Sequence, residues 1–243
     1  MDALAYVIEA EVQDTHWWFV GRRRLFGREI ARLGLDRSSP VLDVGSGTGS
    51  SLAMLREAGY LNVAGLDLRP EAIAFCAEKG FEVKLGNATA LPFPDDSFEL
   101  VLATDVIEHL DADLNGLEEV NRVVKPGGHA LVTVPAFPSL WGLQDRIAHH
   151  RRRYRMRPLL ALVKQAGLKP VRHYYFNYLL FAPIWLARRG IDMLKPNIQH
   201  EGQVNSPLLN RLLTALFVVD LATSPVLRPP FGVSIFMLAK KPC

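Results

Sequence analysis

Three glycines, Gly45, Gly47 and Gly49, follow directly on an apolar run, Val41-Leu42-Asp43-Val44. A second apolar run, Val63-Ala64-Gly65-Leu66, ends in Asp67. Glycines at a strand-to-helix turn let the backbone bend tightly and approach a ligand with no Cβ in the way. An acid closing the next strand can accept hydrogen bonds from both hydroxyls of a ribose. The pair of features suits an adenosine-containing cofactor. A dinucleotide turn of the form GxGxxG would carry its third glycine inside the following helix; here position 50 is Ser50.

Such residues converge only if strands and helices alternate. A strand over residues 40–44 leads to a helix over about 48–58, with Leu52 and Leu55 on one face. A strand over 62–66 leads to a helix that opens at Pro70, a good first-turn residue, and stops at Gly80. Strands follow over 81–85 and 98–104. A helix over about 111–123 buries Leu114, Leu117 and Val120, and Gly127-Gly128 turns into a fifth strand over 129–134. This order predicts an α/β fold, a Rossmann-like doubly wound sheet with helices on both faces.

Downstream blocks narrow the cofactor. Leu91-Pro92-Phe93-Pro94-Asp95-Asp96-Ser97-Phe98 leads to Asp105-Val106-Ile107-Glu108-His109-Leu110, and then to Val124-Lys125-Pro126-Gly127-Gly128. With the glycine turn, this ordered set over residues 39–135 resembles the class I S-adenosylmethionine-dependent methyltransferases. The resemblance implies seven strands, mostly parallel, with the last one antiparallel. Residues 231–240 fit that last strand and 168–176 the one before it. Residues 1–38 form a helical cap, 39–176 the cofactor-binding core, and 177–230 an apolar helical insertion before the final strand, all in one domain.

In open parallel sheets ligands sit beyond the carboxyl ends of the strands. The expected S-adenosylmethionine site therefore gathers Asp43, Gly45, Ser46, Gly47, Gly49, Asp67, Leu68, Asn87, Ala88, Thr104 and Asp105. Asp67 binds the ribose or else caps a helix. Leu68 packs on the adenine. Asn87 stands where the resembled family often has an acid, and it either accepts from the adenine amino group or closes an Asx turn. Asp43 orients the glycine loop or reaches the cofactor's ammonium. Thr104 and Asp105 face the methionine part, unless Asp105 only caps a turn. No metal cluster is expected; Glu108-His109 alone lacks zinc-ligand spacing.

A second resemblance concerns the acceptor. His16-Trp17-Trp18-Phe19 with Gly21-Arg22-Arg23, and Val134-Pro135-Ala136 continuing through Leu140-Trp141, Asp145 and His150-Arg151-Arg152-Arg153-Tyr154, resemble a methyltransferase subgroup linked to bacterial cell-envelope sugars and lipids. Gly142 and Arg146 depart from its pattern. The segment after the fifth strand would lie over the donor crevice. His150 is then a candidate general base, with His149 competing. Tyr154 orients the acceptor or packs in the core. Arg152 and Arg153 grip a phosphate or carboxylate, or form a solvated basic turn. Trp17 and Trp18 form a lid over the ligands or anchor the cap.

Composition sets bounds. A chain of 243 residues has room for a full core, and a net charge of +3 is too small to argue a nucleic-acid partner. Cys76 and Cys243 make no disulfide framework, and Met1-Asp2-Ala3 lacks the basic-then-apolar order of a signal peptide. Both point to the cytoplasm. In 177–230 the stretches 178–187 and 208–221 are apolar. Arg188, Arg189, Arg211 and Asp220 break them before a bilayer-spanning length is reached. That insertion is expected to hold a greasy acceptor, to lie at the inner face of the membrane, or to bury itself in a homodimer.

The expected function is methyl transfer from S-adenosylmethionine to a small or lipid-linked acceptor, with oxygen favoured because His150 offers a base. The alternative is a non-catalytic module that binds the cofactor or recruits a partner at the membrane. A nicotinamide-dependent oxidoreductase fits less well, because the third glycine is missing.

Overall fold

All four residues of β1 (Val41–Val44) are buried, as befits a central strand covered on both faces. The computed structural model describes residues 3–194 and 206–243. Helices α1 (Ala3–Val12) and α2 (Trp17–Ala31) precede β1. Then come α3 (Ser50–Glu57), β2 (Val63–Asp67), α4 (Pro70–Glu78), β3 (Val83–Leu85), β4 (Phe98–Thr104), α5 (Asp113–Val123) and β5 (Val124–Pro135). The chain continues through α6 (Leu143–Ile147), α7 (Met156–Gln165), β6 (Lys169–Phe176), α8 (Phe181–Leu194), α9 (Pro207–Leu227) and β7 (Ser234–Lys240).

The seven strands form one sheet in the order β3-β2-β1-β4-β5-β7-β6. β1 to β5 run parallel, and β7 lies antiparallel between β5 and β6. The topology is the Rossmann-like, doubly wound one that the alternating pattern predicts. The order reverses beside β1, which opens a crevice at the carboxyl ends of β1, β2 and β4.

Side-chain alternation along the strands feeds two cores. Leu42, Val44, Val101 and Val132 point to one face and meet Leu117, Val120, Leu159 and Val163. Val41, Leu100, Leu102 and Leu131 point to the other and meet Leu25, Leu55, Phe217 and Leu221. The insertion therefore supplies part of the second core through α9. Gly21 is what lets α2 approach: a Cβ there would lie 2.2 Å from Phe217 Cδ1. Asp220, fully buried, accepts from the backbone N–H of Asn177 at 2.6 Å and of Leu179 at 2.9 Å, and so ties α9 to the turn after β6.

Several boundaries differ from the sequence expectation. β5 begins at Val124, and Lys125-Pro126-Gly127-Gly128 lies within it opposite a register shift in β4. The helices α6 and α7 fill residues that the expectation left without elements. The 21-residue α9 is long and apolar enough, by length and composition, to cross a bilayer. Its two charged residues do not interrupt it as expected, because Asp220 is turned into the protein and Arg211 into solvent.

Candidate cofactor site

The turn after β1 is built from backbone that only glycine adopts readily. Gly45 has φ 72° and Gly47 φ 54°. A Cβ on Gly45 would also stand 2.5 Å from Val106 Cγ2, so the turn is closed to larger residues. The N–H groups of Gly45 and Ser46 both donate to the Leu66 carbonyl, at 2.7 and 3.0 Å. Ser46 Oγ donates to the Asp43 carbonyl at 3.0 Å.

Beyond this turn lies a cavity of about 610 Å³. Asp67 stands at its edge. Its Oδ2 accepts from the N–H of Gly47 and its Oδ1 from that of Arg69, each at 2.9 Å. One lone pair on each oxygen remains for a ligand. Burial holds the Asp67 carboxyl above its ordinary pKa, against the pull of those backbone bonds. Leu68, Asn87 and Ala88 line the same end. Asn87 Oδ1 accepts from Thr89 N–H at 3.0 Å, which closes the expected Asx turn at the cavity wall.

At the other end stand Gly45, Thr104, Asp105, Val106, His109, Leu110, His149 and Arg151. Asp105 sits just past β4 with φ 56°, a conformation that Asp tolerates better than most residues. Thr133 Oγ1 donates to its Oδ1 at 3.1 Å, and Arg22 Nη1 pairs with its Oδ2 at 2.9 Å.

Arg22 belongs to a set that sequence reasoning missed. Phe19, Arg22, Arg23 and Phe26 line the cavity from α2, and Tyr6 and Glu9 line it from α1. The spacing 19, 22, 23, 26 is one helical face and was there to be read. Burial raises the Glu9 carboxyl above its ordinary pKa, and Arg22 opposes that rise. Burial likewise raises the Tyr6 hydroxyl.

Other expected residues stand elsewhere. Asp43 is buried beneath the turn and does not line the cavity; burial pushes its carboxyl up to about 8, with Asp67 adding to the rise. Gly49 caps α3 with φ 80°, its Cα against Cys76 rather than the cavity. Trp17 and Trp18 face away from the cavity because they share the opposite side of α2 with Gly21. Trp18 stacks on Phe217 at 5.5 Å, and Trp17 meets the same ring edge-on at 5.3 Å. They are the anchor of the cap.

The loop 136–154 is held from within. Asp145, fully buried, accepts from Arg153 Nε at 2.7 Å and from Gly142 N–H at 2.8 Å, and pairs with Arg188 of α8 at 3.5 Å. His150 Nδ1 lies 2.8 Å from its Oδ1. Burial alone would raise the Asp145 carboxyl, but the His150 bond and the two guanidinium groups bring it down to about 2. Asp145 so fixes the orientation of the His150 ring through Nδ1.

His150 therefore lies behind the cavity wall, its ring 4.8 Å from that of His109, which reaches the cavity. Burial, with His150 second, lowers His109 to about 4, so its imidazole is neutral near pH 7. Tyr154 is buried and donates to Asp113 Oδ2 at 2.8 Å. Arg152 pairs with the same oxygen at 2.9 Å and donates to the carbonyls of Leu110 and Asp111. Arg153 also donates to the Ala136 carbonyl at 2.9 Å. The structure commits Arg153 to the loop itself and Arg152 to the turn before α5 and its first residue.

Comparison with known proteins agrees with this geometry. Residues 42–132 match the profile of the methyltransferase domain family. The matched segment runs from β1 into β5 and includes the glycine turn and Asp67. The chain is 35% identical over 105 residues to a demethylmenaquinone methyltransferase of Chlorobaculum parvum, a match covering 42% of this chain and 44% of that one. It is 34% identical over 111 residues to a 2-methyl-6-phytyl-1,4-hydroquinone methyltransferase of Oryza sativa, covering 44% and 32%. The chain thus spans less than half the length of these relatives. A "probable phthiotriol/phenolphthiotriol dimycocerosates methyltransferase 2" of Mycobacterium ulcerans is 28% identical over 195 residues, covering 78% of this chain and 66% of that one.

The fold is shared with solved structures. A phosphoethanolamine N-methyltransferase of Haemonchus contortus in complex with S-adenosylmethionine superposes with a TM-score of 0.60 at 20% identity, covering 88% of this chain and 51% of that one. An S-adenosylmethionine-dependent methyltransferase of Archaeoglobus fulgidus gives 0.57 at 21%, covering 90% and 94%. The residues that line the cavity fit S-adenosylmethionine. Asp67 offers two acceptors for the ribose hydroxyls, Leu68 and Ala88 an apolar slot for the adenine, and Arg22 a cation for the carboxylate.

Proposed function

We propose that this chain transfers a methyl group from S-adenosylmethionine to an oxygen of a small or lipid-linked acceptor. One observation carries the reading: Asp67 is braced by two backbone N–H bonds at one end of a cavity whose other end is rimmed by Asp105 and His109. An adenosine held at Asp67 directs the sulfonium toward the second end, where the acceptor would enter.

When bound, the cofactor supplies a methyl already activated by a positive sulfur. The chain's own work is to align an acceptor in line with the breaking bond and to exclude water. Arg22 and Glu9, from the cap, close the cavity over the donor. His109, Leu110, His149 and Arg151 line the acceptor end. His150 stands one layer behind and does not line the cavity itself.

The acceptor class draws support from two sides. Relatives are named for a demethylmenaquinone, a phytyl hydroquinone and a phthiotriol dimycocerosate. On the chain itself, Leu208, Leu212, Val219 and Val226 of α9 are exposed and lie 4 and 7 residues apart on one side of the helix, and Trp185, Leu186 and Met193 of α8 are exposed as well. Exposed apolar stripes of this size mark a lipid or partner surface. We assign this one to the cytoplasmic face of a membrane, where a lipid-linked acceptor would be found.

Calorimetric titration with S-adenosylmethionine and S-adenosylhomocysteine, with reduced nicotinamide cofactor as control, tests the donor. Micromolar binding of the sulfonium pair alone supports the reading. Binding of neither compound overturns it. Binding with no methyl transfer across hydroxylated quinol and sugar acceptors would favour a non-catalytic module.

A further inference from the structure

Glu108 is fully buried, yet neither of its carboxylate oxygens has a hydrogen-bond partner. A buried carboxyl left without a partner is unfavourable, so such a group marks a missing one. His150 Nε2 lies 3.8 Å from its Oε1. His109 completes a trio: one donor atom from each of Glu108, His109 and His150 lies within 4.8 Å of the others.

From this geometry we infer that Glu108, His109 and His150 form a binding site for a divalent transition-metal cation, Zn2+ by donor set. Two imidazoles and one carboxylate, with a further position left open, are the ligands of a three-residue zinc centre. His150 is prepared for the role. Asp145 holds its Nδ1 at 2.8 Å and turns Nε2 toward Glu108, which is the outer-shell arrangement that orients metal-bound imidazoles. Asp145 is itself fixed by Arg153 and Gly142, so the ring has little freedom to turn away.

The elements explain why the trio meets. Glu108 and His109 lie on the short 3-10 turn Ile107–His109 after β4. The loop carrying His150 is pinned to that turn by Arg151 N–H, which donates to the Glu108 carbonyl at 2.8 Å. Ligand atoms of a tetrahedral zinc centre lie about 3.4 Å apart, so the Glu108–His150 pair at 3.8 Å has to close by a few tenths of an ångström, and the widest pair of the trio, within 4.8 Å, by up to somewhat over 1 Å through side-chain rotation.

The site adjoins the donor crevice, since His109 lines the cavity while Glu108 and His150 lie behind it. Its open position would take an oxygen of the acceptor and hold it beside the cofactor's methyl. That use rests on the methyl-transfer reading; the cation site itself does not.

The test is Zn2+ titration of the full chain stripped with a chelator, in the absence of cofactor, with parallel titration by S-adenosylmethionine. The expected result is one Zn2+ per chain, with affinity lowered about 100-fold or more in both Glu108→Gln and His109→Ala. Glu108→Gln keeps the side chain's shape and serves should His109→Ala fail to fold, which thermal melting reports. Absence of stoichiometric Zn2+ binding by the intact chain, or an affinity unchanged in Glu108→Gln, would overturn the inference. Loss of S-adenosylmethionine binding with Zn2+ binding retained would strike the donor reading and leave the cation site standing.

Discussion

Arg22 Nη1 lies 2.9 Å from Asp105 Oδ2, and this ion pair joins the N-terminal cap to the residue that follows β4. Both residues line the cavity that Asp67 also lines; in the proposed function the pair stands at the methionine end and Asp67 at the adenosine end. The two ends can therefore be tested apart. Arg22→Ala should weaken S-adenosylmethionine about tenfold by removing the cation for its carboxylate. It should leave 5′-methylthioadenosine, which lacks that carboxylate, bound as before. Arg22→Lys should recover only part of the loss, because a point charge does not replace a planar fork. Equal weakening of both ligands would remove Arg22 from the carboxylate.

Asp67→Ala should act on both ligands alike. Two hydrogen bonds from ribose hydroxyls to a carboxylate are lost, which corresponds to about 100-fold or more in affinity. Asp67 also braces the N–H groups of Gly47 and Arg69, so a thermal melt is needed beside the titration. Affinity within about twofold of the original would show that the ribose lies elsewhere.

The sheet was legible because strand, glycine turn and capping proline each follow from local chemistry, and with it the gathering of Gly45, Asp67, Asn87 and Asp105 round one cavity. The acceptor end was not, because its readout depends on which helix face docks where. Trp17 and Trp18 read equally as lid or anchor until Phe217, about two hundred residues on, is seen against them. Phe19, Arg22, Arg23 and Phe26 could have been singled out as the other face of the same helix. His150, Arg152 and Arg153 look available in sequence, and only Asp145 and Asp113, folded against them, reveal their internal engagement. Glu108 carries no sequence sign of being left without a partner.

Asp43 makes stability depend on pH. Its carboxyl is raised to about 8 in the fold, against an ordinary value of 3.8. Between these values the folded chain keeps a proton that the unfolded chain releases. This group's contribution is therefore fully present below about pH 4 and falls as pH rises toward 8, by at most about 1.4 kcal/mol per pH unit. Asp43→Asn removes the titration. The variant should gain on the original in melting temperature as pH rises from 5 to 8. A difference that stays flat over this range would place the Asp43 titration outside it.

The contact between α2 and α9 makes a prediction of its own. Phe217→Ala should cost about 3–5 kcal/mol, as for other buried aromatics. Gly21→Ala should cost about 1–3 kcal/mol by overpacking against that ring. In the Phe217→Ala background the second penalty should vanish, since the space has been vacated. Additive losses in urea unfolding would mean that the helices do not meet through this pair.

The same contact decides how membrane binding should be measured. Deleting residues 177–230 would remove Phe217 and Asp220 from the protein interior along with the exposed stripe, so loss of binding would be uninformative. Point changes on the stripe avoid this. Leu212 and Val219 are 56% and 53% exposed, and replacing both by Asp touches neither core. The intact chain should float with vesicles containing anionic lipid, and the double variant should remain in the lower fractions with its melting temperature unchanged. Fully burying a single such side chain contributes about 1.5–3 kcal/mol, so two charges set into the stripe should lower partitioning by at least about tenfold. If the intact chain does not float but sediments as a dimer that the double variant abolishes, the stripe is covered by a second copy and the membrane assignment is lost.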